Sequence, residues 1–226
     1  KTIVTTDLIA KIAEKQNMKL YDCYTGFKWI ATVMRENEGK ARYLGGGEES
    51  YGFLAEDFCR DKDSVSAISL MAEIAAWAKE KGMTMNDMLI DIYTTYGYSK
   101  ERGISVVRTG KSGAEEIQAM MKNFRENPQK EIAGSPVVKI RDYQLLQEKN
   151  VLTGEVSKLD MPCTSNVLQY YTEDGTKVSI RPSGTEPKIK FYLEVHDTLA
   201  CAADYDAKNE WADAKLDTIC KELGIA

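Results

Sequence analysis

Apolar and polar residues in the first hundred positions follow two alternating periods. Short runs rich in Thr, Ile, Val and Tyr are typical of strands, and between them apolar residues recur at the three- and four-residue spacing of helices. The pattern predicts strands over about 1–6, 19–24 and 42–44, and helices over about 8–16, 27–37, 63–81 and 85–96. Strands that alternate with helices indicate a βαβ arrangement around a parallel sheet.

Two of these helices have recognisable starts. Asp7 and Thr84 precede the first apolar positions of their helices and are suitable N-cap residues. In the long helix over 63–81, the apolar residues Val65, Ile68 and Met71 fall on one face. The spacing therefore predicts an amphipathic helix there.

Beyond Gly97 the pattern changes to strands with little helix. Glu173-Asp174-Gly175-Thr176 has the composition of a tight hairpin turn, because Asp-Gly suits positive φ angles. The predicted strands cover about 104–108, 136–141, 166–172, 176–181 and 188–196, and the helices about 113–126 and 204–222. We therefore predict an α/β protein with a βαβ parallel-sheet domain over 1–99, followed by a smaller α+β domain with an antiparallel sheet over 100–226.

Composition narrows the class of protein. The net charge is −5 and no basic stripe is present, which argues against a nucleic-acid or anionic-membrane partner. No apolar run approaches the roughly 20 residues that a membrane span needs. Five scattered cysteines without a C-x-x-C pair indicate reduced thiols and a cytoplasmic protein. The single histidine, His196, excludes sites that need two histidines.

Residues 181–190 are the most chemically specific stretch of the sequence. Arg181 offers a planar fork of N–H donors, Ser183 and Thr185 offer hydroxyls, and Gly184 lets backbone N–H groups turn toward an anion. Each charge-assisted hydrogen bond contributes about 1.5–3 kcal/mol, so three or four would hold a phosphate ester. The alternative is an ordinary surface turn, since Pro, Ser and Gly are common in turns.

Two lysines follow this stretch. Lys188 and Lys190 lie in a predicted strand, and residues two apart in a strand point to the same face. Either ammonium group can therefore reach the loop.

The glycine-rich stretch 45–52 is a second candidate site. Three consecutive glycines allow a ligand to approach the backbone closely. Glu48 and Ser50 are two residues apart, so in an extended loop their side chains point to the same side. A carboxylate beside a hydroxyl suits the vicinal hydroxyls of a sugar. A glycine-rich strand-to-helix turn with acidic residues is the alternative.

Taken in this order, the two motifs resemble the C-terminal half of the α-D-phosphohexomutases, the phosphoglucomutases and phosphomannomutases. Gly47-Glu48-Glu49-Ser50 is similar to the sugar-binding loop of their third domain. The segment from Arg181 to Pro187 is similar to the phosphate-binding loop of their fourth domain, and Thr25-Gly26-Phe27-Lys28 resembles a segment on the sugar side of the cleft. The resemblance covers essentially the whole chain, and the Glu-Glu-Ser form is more like phosphoglucomutases than phosphomannomutases.

The resemblance implies a role for each motif. Glu48 and Ser50 would contact the ring hydroxyls of a sugar, with Thr25, Gly26 and Lys28 as further sugar-binding candidates. The phosphate that is not being transferred would be held by Arg181, Ser183, Gly184, Thr185 and Lys190.

Two family motifs are not found in this sequence. The phosphoserine loop of the family resembles Thr-x-Ser-His-Asn-Pro, and its magnesium loop resembles Asp-x-Asp-x-Asp-Arg. The sequence has no Ser-His pair, and both Asp61-Lys62-Asp63 and Asp204-Tyr205-Asp206 have two acids where the magnesium loop has three. We therefore expect no catalytic or metal-binding residue in this chain, which corresponds to domains three and four and begins within the third.

The function expected from the resemblance belongs to a larger parent protein. That parent would interconvert hexose 1-phosphate and hexose 6-phosphate through a bisphosphorylated intermediate, with Mg²⁺, glucose 1,6-bisphosphate and its own N-terminal domains. The chain alone is expected to be inactive. The alternative is a non-catalytic sugar-phosphate-binding module that uses the same two loops, and the preferred sugar stays open.

Overall fold

The computed structural model describes residues 1–184 and 186–225, except for the side chain of Lys111. The chain divides into two compact units, residues 1–98 with 198–202 and residues 99–197 with 203–225. The mixed α/β class is confirmed, with an antiparallel sheet in the second unit.

The first unit contains helices at the predicted positions and one β-hairpin. The hairpin is formed by β1 (Gly45–Glu48) and β2 (Gly52–Ala55), which pair antiparallel. Parallel pairing within the described residues is limited to a single bridge between Thr2 and Cys23. The helices are α1 (Leu8–Lys15), α2 (Phe27–Glu36), α3 (Ser64–Glu80) and α4 (Met85–Tyr96).

The predicted strand over 42–44 is wrong, because the strand begins only at Gly45. Its glycines have low strand propensity, so pairing with β2 decides the conformation rather than local preference.

Some of the predicted helix caps and apolar helix faces are found in the structure, and others are not. Thr84 caps α4 through a capping box with Asp87, as predicted. Asp7 occupies the N-cap position of α1 without a side-chain cap bond, and its carboxylate pairs with Lys1 Nζ at 2.9 Å. The apolar residues of α2 pack inward with Cys23 and Leu54. In contrast, Val65 and Ile68 on α3 are about 70% exposed.

The second unit is built on one large sheet with helices α5 (Gly110–Glu126) and α6 (Tyr205–Glu222). Within the described residues this sheet has eight strands in the order β3-β10-β9-β8-β5-β6-β7, with β4 paired to β5. The strands are β3 (Tyr98–Val107), β4 (Glu131–Ile132), β5 (Ser135–Asp142), β6 (Gln147–Asn150), β7 (Val156–Lys158), β8 (Leu168–Thr172), β9 (Lys177–Pro182) and β10 (Lys188–Asp197).

The two faces of this sheet differ in polarity because side chains alternate along each strand. On the apolar face, Ile180 lies opposite Phe191 across β9 and β10, and both are fully buried. Phe124 of α5 packs edge-on against Phe191, with the ring centroids 5.9 Å apart. On the other face the paired residues are polar, and Arg181 lies opposite Lys190. The apolar face anchors β9 and β10, and their polar face carries the cations of the predicted phosphate loop.

The turn at 173–176 joins β8 to β9 as predicted. Gly175 has a φ of 84°, and Asp174 Oδ1 accepts hydrogen bonds from Thr172 and Thr176. None of the described helices has the length and apolar character required to cross a membrane.

Candidate functional site

The β1–β2 hairpin depends on glycines at closely packed positions. A Cβ on Gly46 would lie 2.5 Å from the Tyr43 hydroxyl oxygen, and a Cβ on Gly47 would lie 2.9 Å from the Gly52 carbonyl oxygen. The Tyr43 hydroxyl donates to the Leu54 carbonyl at 3.2 Å, and burial raises the pKa of Tyr43 to about 12. The glycine run therefore allows the hairpin to lie against Tyr43.

The Glu48 carboxylate folds back across the hairpin. A Cβ on Gly52 would lie 2.8 Å from Glu48 Cγ and 2.9 Å from Glu48 Oε1, so the missing side chain at Gly52 makes room for it. Glu48 Oε2 accepts a hydrogen bond from the Gly26 N–H at 3.0 Å. Gly26 is the N-cap of α2 and has a φ of 111°, and a carboxylate at a helix N-terminus is favourable. The structure thus brings together two of the predicted sugar-binding residues.

The other predicted sugar-binding residues lie around this contact. The hydroxyl oxygen of Thr25 is buried and has no hydrogen-bond partner among the described residues. Ser50 is exposed at the tip of the hairpin, next to Tyr51 with a φ of 63°. Lys28 is exposed in the first turn of α2, and its Nζ lies 5.3 Å from the centre of the Trp29 ring.

Two residues near the hairpin were not predicted from the sequence. Glu49 Oε2 accepts hydrogen bonds from Thr2 and Thr5. Lys62 lies beside Gly52, with its Cδ 3.2 Å from the position that a Cβ there would occupy. Glu49 lies within the motif that resembles the family's sugar-binding loop. Lys62 lies later, in a charged stretch, and its spacing from the motif does not indicate a role.

The predicted phosphate loop connects β9 to β10 and is held by backbone and hydroxyl groups. Ser183 N–H donates to the Lys188 carbonyl at 2.8 Å, and Lys188 N–H donates to the Glu186 carbonyl at 2.7 Å. Ser183 Oγ accepts from the Glu186 N–H at 3.3 Å. The Pro187 carbonyl accepts from the Arg108 N–H at 2.9 Å. These bonds fix the base of the loop on both sides.

The cations of this loop differ in their partners. Lys188 forms an ion pair with Glu186, and the hydrogen bond from Lys188 lowers the pKa of that carboxyl group. Arg181 and Lys190 lie opposite each other across the two strands. Within residues 1–184 and 186–225, neither side chain forms an ion pair or hydrogen bond. Two half-buried cations thus lie on one face without a direct ion pair, which is a suitable arrangement for an anion.

The two other residues of the predicted phosphate loop are Gly184 and Thr185. Gly184 is exposed, and the position of a Cβ there has no atom within 4 Å, so its backbone is accessible to a ligand. Thr185 lies outside the described residues.

The part of the chain that is described contains no group of three or more His, Cys, Asp or Glu side chains suited to a metal ion.

Comparisons with known proteins cover both units. Residues 1–96 match the model for phosphoglucomutase/phosphomannomutase alpha/beta/alpha domain III, and residues 104–210 match that for the C-terminal domain. A phosphoglucomutase of Staphylococcus saprophyticus is 34% identical over 211 residues, covering 92% of this chain and 38% of that protein. One from Staphylococcus aureus N315 is 38% identical over 202 residues, covering 86% of this chain and 35% of that protein.

A solved structure supports the fold. The open form of parafusin, a phosphoglucomutase and exocytosis-sensitive phosphoprotein from Paramecium, has a TM-score of 0.61 and 20% identity. That similarity covers 100% of this chain and 37% of the Paramecium chain. This chain therefore spans little more than a third of the length of its relatives. With both units matched and the predicted resemblance confirmed, the chain belongs to the phosphoglucomutase/phosphomannomutase family.

Proposed function

We propose that this chain is the substrate-binding part of an enzyme that interconverts hexose 1-phosphate and hexose 6-phosphate. The reaction proceeds through a bisphosphorylated intermediate, with glucose 1,6-bisphosphate as the expected form. The domain that carries the sugar loop extends over 1–99, and the domain that carries the phosphate loop extends over 100–226. Support comes from the family to which both units belong and from two loops whose chemistry suits a sugar and a phosphate.

The sugar loop would orient the hexose. Glu48 accepts hydrogen bonds from ring hydroxyls, and Ser50 donates or accepts as the orientation requires. Thr25 is a further candidate, because its buried oxygen has no hydrogen-bond partner among the described residues. Gly26 and Lys28 complete this set.

The phosphate loop would hold the phosphate group that is not transferred. The observation that carries this assignment is the Arg181–Lys190 pair, opposite each other and without an ion-pair partner in the described part of the chain. The hydroxyl groups of Ser183 and Thr185 and the backbone of Gly184 add donors for the remaining phosphate oxygens. Because the intermediate is bound in two orientations during the reaction, this loop would accept either phosphate.

The phosphoryl donor and the magnesium ion would belong to the N-terminal domains of the parent. In phosphoryl transfer, positioning and charge stabilisation provide most of the rate enhancement, and this chain would contribute the positioning. We therefore expect no mutase activity from these 226 residues alone. A cytoplasmic location is also proposed, on the basis of the reduced cysteines expected from the sequence.

Calorimetric titration with glucose 1,6-bisphosphate tests the phosphate loop. Arg181→Ala should weaken binding by about tenfold or more, because a charge-assisted hydrogen bond contributes about 1.5–3 kcal/mol. Arg42→Ala is the matched control, since Arg42 is an exposed arginine that pairs with Glu56 in the first unit. Binding that survives Arg181→Ala unchanged would show that the loop assignment is wrong.

A coupled assay for isomerisation of glucose 1-phosphate tests whether catalysis needs the N-terminal domains of the parent protein. Turnover by the purified chain would contradict the assignment of the phosphoryl donor to other domains.

A further inference from the structure

The two consecutive glutamates of the hairpin have different partners. Glu48 Oε2 accepts from the Gly26 N–H at 3.0 Å. Glu49 Oε2 accepts from Thr2 Oγ1 at 3.1 Å and from Thr5 Oγ1 at 3.0 Å. The hairpin is thus tied at neighbouring residues to two segments distant in sequence, since the partners of Glu49 lie 47 and 44 residues away.

These two segments are joined to each other. Thr2 and Cys23 form the parallel bridge of the first unit. Its backbone bonds run from the Ile3 N–H to the Cys23 carbonyl at 2.9 Å and from the Cys23 N–H to the Lys1 carbonyl at 3.0 Å. Cys23 is three residues before Gly26. The contacts therefore form a closed ring that passes from Glu49 to Thr2, across the bridge to Cys23, along the chain to Gly26 and back to Glu48.

The hydroxyl groups that donate to Glu49 are buried. Thr2 is fully buried and Thr5 is 7% exposed, so their hydroxyl groups have little access to water. The second carboxylate oxygen, Glu49 Oε1, is itself buried and has no hydrogen-bond partner among the described residues. A charged group with one oxygen in that state is unfavourable for folding.

We propose that Glu49 is a positioning residue that fixes the tip of the hairpin against Gly26 and so sets the geometry in which Glu48 and Ser50 meet sugar hydroxyls. The inference rests on the proposed function for its ligand, but the ring of contacts is a property of the free chain. Glu49 does not touch the ligand in this scheme. Its effect passes through the backbone to its two neighbours.

Hydrogen exchange of the ligand-free chain tests the ring directly. In Glu49→Met, which keeps the size of the side chain without its acceptors, the Gly26 amide should exchange about tenfold faster or more, because its bond to Glu48 opens more often. The Ile3 amide should keep its protection, since it bonds to the Cys23 carbonyl in the parallel bridge. Glu49→Gln retains an acceptor oxygen and should restore the protection of Gly26. Thr5→Val removes one donor at similar size and serves if Glu49→Met does not fold.

Equal loss of protection at Gly26 and Ile3 would indicate a merely structural role and would overturn the proposal. Unchanged exchange at Gly26 in both Glu49→Met and Thr5→Val would overturn it as well.

Calorimetry with two probes links the ring to the ligand. Inorganic phosphate reports on the phosphate loop alone, whereas glucose 1,6-bisphosphate also reports on the sugar loop. Glu49→Met should weaken binding of the bisphosphate by about tenfold, with binding of inorganic phosphate unchanged within about twofold. If Glu49→Met binds each probe with the same affinity as the wild type does, the proposal is overturned. A wild type that binds both probes equally would instead contradict the proposed function, and the exchange result would still decide whether Glu49 positions the hairpin.

Discussion

Arg181 and Lys190 are directly opposite each other in the antiparallel pair formed by β9 and β10. Like charges at such positions repel and destabilise the sheet. Neither cation forms an ion pair within the described part of the chain, although the charge of Lys190 contributes to the lowered pKa of Glu186. An anion bound between the two charges would relieve this repulsion, which is what the proposed phosphate site requires.

Inorganic phosphate should therefore raise the thermal stability of the chain. At ten times its dissociation constant, a ligand that binds only the folded state adds about 1.4 kcal/mol to the free energy of unfolding. Arg181→Gln and Lys190→Gln should abolish this rise, while without phosphate they should be as stable as the wild type or more so. Lys188→Gln is the control, since Lys188 already pairs with Glu186. Differential scanning fluorimetry against sodium chloride at equal ionic strength would measure it. A phosphate effect of the same size in all variants would contradict the prediction.

Gly52→Ala should displace the Glu48 carboxylate. The added Cβ would lie 2.8 Å from Glu48 Cγ, a distance that requires one of them to move. We expect the Gly26 amide resonance to shift and the affinity for glucose 1,6-bisphosphate to fall about tenfold. Gly45→Ala in the same hairpin is the matched control, because its Cβ would have no contact closer than 3.5 Å. The prediction fails if the two alanine variants bind the bisphosphate equally well.

Helices were predicted more closely than strands, and the reason is physical. The apolar spacing of α2 and the cap of α4 are local signals, and both helices begin where the sequence predicts. The hairpin strand β2 and the short strand β6 were not predicted, because their conformation is set by pairing with a neighbour. For the same reason the strand over 42–44 was misplaced by a few residues.

The candidate site was predictable where the chemistry is local. The residues of the phosphate loop are close in sequence, and the two-residue period places Lys190 on the same face as Arg181 once the strands pair. The contact of Glu48 with Gly26 joins residues 22 positions apart, and no spacing rule could identify it. The anchoring of Glu49 by Thr2 and Thr5 depends in the same way on tertiary structure.

A buried ion pair on the polar face of the sheet should contribute strongly to the stability of the second unit. Lys177 Nζ lies 2.6 Å from Glu194 Oε2, and both side chains are at most 3% exposed. Glu194→Gln removes the negative charge that compensates the buried lysine, so the free energy of unfolding should fall by about 3–5 kcal/mol. Glu126→Gln is the control, because the exposed pair of Glu126 with Lys122 should contribute less than about 0.5 kcal/mol. Urea denaturation measures both, and similar losses for the two variants would contradict the prediction.

The acid sensitivity of the second unit should depend on the same carboxylate. Burial raises the pKa of Glu194, but hydrogen bonds and charge from His196 and Lys177 outweigh it, and the pKa falls from 4.5 to about 2. Because the pKa is lower in the folded state, the stabilisation is complete above pH 4.5 and is lost as the pH falls toward 2. The difference in unfolding free energy between the wild type and Glu194→Gln should therefore shrink as the pH falls below about 4.5. Urea titrations at a series of pH values would measure this, and a difference that stays constant down to pH 2.5 would show that Glu194 is not the group that titrates.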